Sequence, residues 1–276
     1  MTRLAERLGL PRGARALIVT ADDFGLCHAA TEGVLDALAA NAATSAGLLV
    51  PAPWAREAAA RAAGRDVGVH LALTAELPRY RWGPVTFAPS LLGGDGGFAS
   101  TVEDLHDHAD PDEVRRECRS QLERAVQLGV DPTHLSVHGG AVFTAPALFD
   151  VVAELACETQ LPLRLPDPLD AVGYGFPLHD LADERGIVRP DFVRWSAKGA
   201  LLSPETFVAA LQEGVTELVA RPALDTAELR ALAPDAEARV ADLDALTGYD
   251  RLAAALREAD VTVLGWSALR AVAQGR

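Results

Sequence analysis

Two adjacent carboxylates, Asp22 and Asp23, close the apolar, β-branched run Ala16-Leu17-Ile18-Val19-Thr20-Ala21 and are followed by Phe24-Gly25. Such a run reads as a strand covered on both faces, and Gly25 permits the turn after it. Neighbouring carboxylates repel, which raises the pKa of one unless a cation compensates. The pair therefore points to a metal site, a proton-transfer site or both; the plainer reading is a solvated loop in which one Asp caps the next helix. Two histidines bear on that choice. His70 lies in Val67-Gly68-Val69-His70-Leu71 and His138 in Leu135-Ser136-Val137-His138-Gly139. Both fall near the C-termini of predicted strands, the rim where α/β folds gather their active sites. Imidazole and carboxylate together suit Zn, Mn, Fe, Co or Ni. A lone strand histidine is usually a core residue, but two of them beside an Asp pair favour a site. His134 shares the strand face of His138 but lies deeper, which assigns it a structural or supporting role. His106 and His108, in an acidic stretch, are expected to face solvent.

The elements that must position these groups alternate. Strands are predicted at Leu17–Ala21, Ala46–Val50, Val67–Leu71, Leu135–His138, Pro162–Leu165, Thr216–Ala220 and Val261–Leu264. Helices are predicted at Ala30–Ala40, Trp54–Ala63, Glu113–Leu128, Ala147–Glu158, Pro204–Glu213 and Tyr249–Ala259. In the third of these, Val114, Cys118, Leu122 and Val126 form an apolar stripe, with Asp110 or Asp112 as its cap. Alternating strands and helices imply a mainly parallel sheet, and seven strands without a linker favour one TIM-like (β/α) barrel domain over residues 1–276. Two stretches break the rhythm. Residues 77–110 are too long for an ordinary βα loop and read as a functional flap or a partly disordered segment. Residues 167–200 carry Tyr174, Phe176, His179 and Trp195, suited either to stacking on a sugar ring or to anchoring a long loop.

Composition narrows the partners. The chain has 276 residues, of which 39 are acidic and 25 basic, for a net charge of −14. That charge repels phosphate-rich partners, so neither nucleic acid nor an anionic membrane surface is expected. No apolar run reaches the ~18 residues of a transmembrane helix, and the N-terminus has no secretory pattern, so a cytoplasmic protein is expected. Cys27, Cys118 and Cys157 are dispersed and form neither a disulfide framework nor a zinc knuckle. Lys198 is the sole lysine, a skew that looks like base-composition bias. A homodimer is compatible with the sequence, although no stretch defines an interface.

An ordered set of motifs resembles the YdjC-like carbohydrate deacetylase family, which includes chitooligosaccharide deacetylases. The set runs Thr20-Ala21-Asp22-Asp23-Phe24-Gly25, Ala43-Thr44-Ser45-Ala46, Val67-Gly68-Val69-His70-Leu71-Ala72-Leu73-Thr74, Asp131-Pro132-Thr133-His134-Leu135 leading to His138, Leu163-Arg164-Leu165-Pro166 and Val263-Leu264-Gly265-Trp266. Each motif is weak by itself; their order over nearly the whole chain is specific. The resemblance implies a (β/α) barrel with one divalent metal, Mg or Zn foremost with Mn, Co and Ni as alternatives, held by Asp23, His70 and His138. It implies Asp22 as general base in hydrolysis of an N-acetyl group from a small amino sugar or oligosaccharide. Arg164 would orient Asp22 by charge pairing, or form a plain structural ion pair.

The chain departs from the family pattern twice. Where the family reads Asp-Ser-His-x-His, this chain reads Ser136-Val137-His138-Gly139-Gly140, so Gly140 replaces the second histidine. Where the family has His-Pro-Gly after a late strand, this chain has Arg221-Pro222-Ala223. Arg221 cannot protonate a leaving amine near neutral pH, but it can stabilise an oxyanion or bind an acidic group. Three readings follow: a metal-dependent deacetylase, a catalytically impaired homologue that binds metal and sugar, and another metal-dependent amide or ester hydrolase on the same barrel.

Overall fold

Strand β1 (Arg15–Phe24) is the hub of a parallel sheet, buried at every position after Arg15. The computed structural model describes residues 3–196, 203–247 and 251–276. The other strands are β2 (Ser45–Leu48), β3 (Val67–Leu71), β4 (Leu135–Val137), β5 (Phe192–Trp195), β6 (Gly214–Ala220) and β7 (Thr262–Leu264). The order is β4-β3-β2-β1-β6-β5. One edge of β1 is divided: β7 pairs its first half, Ala16 to Ile18, and β2 its second half, Thr20 to Phe24. The sheet curls into a half-barrel surrounded by helices, consistent with the expected TIM-like barrel in a single domain.

Two strand expectations change. The predicted strand Pro162–Leu165 reduces to one parallel bridge, Leu135 to Leu163, because the Leu163 N–H donates to Val188 O, which lies outside any strand. Strand β5 emerges instead from the stretch expected to be irregular, where its four residues are hidden among Pro and Gly. Strand β1 also outruns its prediction. The register against β2 slips between Ala21 and Phe24, a β-bulge that takes in both aspartates. Asp23 sits there at φ 62°, a conformation few non-glycine residues adopt. Bulges of this kind re-aim side chains beside active sites.

The helix Pro111–Gln127 shows how sequence dictates placement. Pro111 opens it, and the Asp110 carboxylate accepts the Asp112 and Glu113 N–H groups. Val114, Cys118 and Leu122 are buried, but Val126 is 55% exposed. Steps of four residues drift about 40° each around a 3.6-residue turn, so the fourth member of the predicted stripe leaves the core and Ala125 replaces it. From the same helix Glu117 accepts the Val85 and Thr86 N–H groups and the Thr86 hydroxyl, and Glu113 accepts the Ser90 N–H and hydroxyl. Residues 77–110 are thereby an anchored cover rather than a disordered segment, and they contain a helix of their own, Val102–His108, capped by Thr101. No described helix is long and apolar enough to cross a membrane. Lys198, the end of the 167–200 stretch and the Tyr249 start of the last predicted helix lie outside the described residues.

Candidate metal centre and active site

The bulge turns the two aspartates to different partners. Asp22 is 1% exposed and accepts a two-pronged hydrogen bond from Arg164, Nη1 to Oδ2 at 2.6 Å and Nη2 to Oδ1 at 3.2 Å. Arg164 follows Leu163, whose bridge to β4 delivers the side chain inward. Its other edge donates to Glu217 on β6, Nε to Oε2 at 2.9 Å and Nη2 to Oε1 at 2.6 Å. Glu217 Oε1 also accepts the Thr20 hydroxyl at 2.6 Å and Trp266 Nε1 at 3.1 Å. Burial opposes the charge on Arg164, yet the two carboxylates outweigh it and push its pKa up.

Asp23 is held differently. Its Oδ2 accepts Nη1 of Arg239 at 2.8 Å, while its Oδ1 is buried with no hydrogen-bond partner among the described residues. Oδ1 lies 3.9 Å from His70 Nε2 and 3.5 Å from His138 Nδ1, and those two nitrogens are 3.3 Å apart. A triangle with these sides has its centre about 2.1 Å from each corner, within the ~2.0–2.2 Å range of zinc bonds to nitrogen and oxygen. A bare buried oxygen facing two imidazole nitrogens is a donor set that fits a small divalent cation. The far nitrogens of both rings are occupied, as metal-bound histidines require: His70 Nδ1 is 2.7 Å from Ser136 Oγ, and His138 Nε2 is 2.8 Å from Glu76 Oε2. Parallel pairing of β3 with β4 sets His70 beside Ser136.

The electrostatics agree with a cation-seeking centre. Burial drives His70 down to about 4, leaving it neutral and its lone pair free for a ligand. Burial also opposes charge on His138, but the nearby Asp23 and Glu76 carboxylates prevail and raise it to about 10. Burial would raise the Asp23 carboxyl, yet Arg239 and then His138 hold it well below the usual range.

The centre opens into a cavity of about 680 Å³ lined by Asp22, Asp23, His70, His138, Thr74, Glu76, Ser100 to Glu103, Gly139, Trp195 and Arg221. Five of the six residues singled out in the sequence line it, and Arg164 stands directly behind Asp22. Arg221 is fixed at the wall: its N–H donates to Asp242 Oδ2 at 2.7 Å, and Nη2 lies 3.1 Å from Asp235 Oδ2. Of the four residues singled out in 167–200, Trp195 reaches the cavity. Phe176 instead packs on Phe149 at 5.8 Å, and Tyr174 packs against the core. His134 is a floor residue stacked on Trp266 at 4.4 Å. His108 is exposed as expected, whereas His106 is half-buried, its Nε2 2.8 Å from Ala141 O. Gly140 adopts φ 67°, and a Cβ there would meet Phe143 at 3.7 Å, an ordinary contact. The gap left by the replaced histidine is therefore one of chemistry and backbone conformation, not of space.

Sequence reasoning missed Glu76, Ser136, Glu217 and Arg239. Two of them left a signal. Ser136 shares the face of His138 by strand alternation, and Glu217 is a charge amid the apolar run Val215–Ala220. Arg239 left none, because its partner lies 216 residues away.

Comparison with known proteins identifies the family of the chain. A family profile described as YdjC-like protein matches residues 16–258. The chain is 38% identical over 252 residues to a carbohydrate deacetylase of Thermus thermophilus, covering 88% of this chain and 90% of the relative. It is 31% identical over 242 residues to a carbohydrate deacetylase of Brevibacillus brevis, covering 85% and 92%. A crystal structure of an Enterococcus faecalis V583 protein assigned to cellobiose-phosphate cleavage superposes with a TM-score of 0.78 at 25% identity, covering 93% of this chain and 99% of that one. The ordered motifs, the parallel half-barrel and these relatives agree: the chain belongs to the YdjC-like family.

Proposed function

We propose that this protein is a metal-dependent carbohydrate deacetylase that hydrolyses an N-acetyl group on an amino sugar or short oligosaccharide. The observation that carries the reading is the convergence of Asp23 Oδ1, His70 Nε2 and His138 Nδ1 beside an Asp22 held by Arg164. The full-length likeness to two carbohydrate deacetylases supports the substrate class. Asp23, His70 and His138 would hold one divalent ion, with Mg or Zn as the first candidates. When bound, such an ion supplies Lewis acidity to the amide carbonyl and lowers the pKa of an attacking water. Asp22, 3.9 Å from His70 Nε2 and open to the cavity, takes the proton of that water and returns it to the amide nitrogen as the C–N bond breaks, releasing acetate and the free amine. The Arg164 fork fixes the carboxylate for that transfer, since its two prongs leave little freedom to rotate. Trp195 offers a flat apolar face for a sugar ring, and Ser100 to Glu103 line the same cavity. Arg221 takes no proton-transfer role; its guanidinium is a fixed hydrogen-bond donor to the acetyl oxygen or to an acidic substrate group.

A second reading is favoured by Arg221 itself, which stands at a cavity position where the family pattern has histidine. It is a homologue that binds metal and sugar but turns over weakly, since losing a general acid costs ~10²–10⁴-fold. Acetate release from N-acetylglucosamine oligomers by metal-reconstituted protein separates the two. Release abolished by Asp22→Asn supports the deacetylase; binding of metal and sugar without release sinks it in favour of the second reading.

A further inference from the structure

We propose that Arg239 is the positioning residue of the metal centre, dividing the Asp23 carboxylate so that Oδ1 faces the histidines while Oδ2 is anchored. The inference rests on the metal reading above. Arg239 does not line the cavity; it stands behind Asp23 on the helix Ala236–Thr247 and is 2% exposed. Three contacts fix it. Nη1 donates to Asp23 Oδ2 at 2.8 Å, Nε donates to Asp235 Oδ1 at 2.9 Å, and its carbonyl oxygen accepts the Ala223 N–H at 3.2 Å. A planar guanidinium bonded to two carboxylates has its plane set, and with it the orientation of each partner.

Asp23 needs that hold. Its backbone lies in the left-handed region, which persists where surrounding structure over-determines it. A carboxylate offers lone pairs on both oxygens, and either could turn toward the imidazoles. With Oδ2 occupied, Oδ1 remains bare and faces them. The adjacent aspartates are thus separated in function by two guanidiniums, Arg164 gripping Asp22 and Arg239 gripping Asp23. The same clamp reaches the cavity wall, because Asp235 also holds Arg221 Nη2 at 3.1 Å. Arg239 also brings positive charge near a dication, which by itself disfavours metal. The orienting effect dominates because that charge is already shared between Asp23 and Asp235.

The test is the affinity of metal-stripped protein for Co²⁺ and Zn²⁺, measured by titration calorimetry on wild type, His70→Ala, Arg239→Gln, Arg239→Lys and Asp235→Asn, each checked for folding by thermal melting. Arg239→Gln is expected to weaken binding by about 10–100-fold, as loss of a partner behind a metal ligand does. Arg239→Lys is expected to fall between it and wild type, because an ammonium keeps one donor for Oδ2 but not the planar fork. If Arg239→Gln does not fold, Asp235→Asn, at a more exposed position, is expected to show a smaller loss in the same direction. A folded Arg239→Gln, or failing that a folded Asp235→Asn, with wild-type affinity overturns the inference. So does Arg239→Lys at wild-type affinity, which would show that the planar fork does not set the position of Asp23. A wild type that binds no better than His70→Ala overturns the metal reading instead.

Discussion

The buried centre of the cavity and its surroundings are built on different principles. At the buried centre Asp22, Asp23, His70 and His138 are all at most 5% exposed, and each has a hydrogen-bond partner: Arg164, Arg239, Ser136 and Glu76. Less buried around it stand Trp195, Arg221 and the segment Ser100 to Glu103, partly or fully open to solvent and carried at strand ends and in loops. Groups that must meet to a fraction of an ångström are set by strand register and buried ion pairs, while groups that meet a substrate of variable shape are left at the rim. The contrast separates a buried cluster, where this chain keeps the motif residues Asp22, Asp23, His70 and His138, from surroundings where it departs from the motifs. Both departures from the pattern, Gly140 and Arg221, fall outside the buried centre.

Substitutions should divide along the same line, and they can break the comparison in order of size. His70→Ala or Asp23→Ala is expected to abolish both metal uptake and turnover, checked by metal content and acetate release. Asp22→Asn is expected to lower kcat by ~10²–10⁴-fold while metal still binds; equal losses of metal and rate would merge the two aspartates into one role. Arg164→Met leaves Asp22 and Glu217 buried without their shared cation. It should cost about 3–5 kcal/mol of stability in urea unfolding, and an unchanged midpoint would contradict the buried-pair account. In the surroundings Trp195→Ala should raise KM about 5–10-fold with kcat little changed, the loss of roughly 1 kcal/mol of aromatic contact. A fall confined to kcat would place Trp195 with the buried centre in the comparison.

The buried centre was largely legible in the sequence. Asp22, Asp23, His70 and His138 stand out because charged or imidazole groups at the ends of apolar strands conflict with local patterning, and such conflicts mark functional sites. Arg164 was legible by the same rule. The partners behind them were mostly not. Arg239 and Glu76 sit on a helix and a loop, where charge is ordinary, and three-dimensional closure alone buries Arg239 against Asp23 and sets the exposed Glu76 against His138. The bulge at Asp23 was hidden too, since a register slip leaves no trace in composition. Strand β5 was masked by the Pro- and Gly-rich segment around it, and the segment at Leu163 looked stronger in sequence because Val188, which accepts its N–H from outside any strand, had no pattern to read. Apolar periodicity thus reports burial well and topology less well, because pairing partners are chosen across the chain rather than along it.

The most direct test of the central claim is the metal content of purified protein after reconstitution with a divalent metal and removal of excess, wild type against Asp23→Asn. The account predicts one equivalent in wild type and a large loss in the variant, because the bare Oδ1 that completes the donor triangle is then part of a neutral amide. Wild-type protein that retains no metal, or an Asp23→Asn variant that retains as much as wild type, would contradict it.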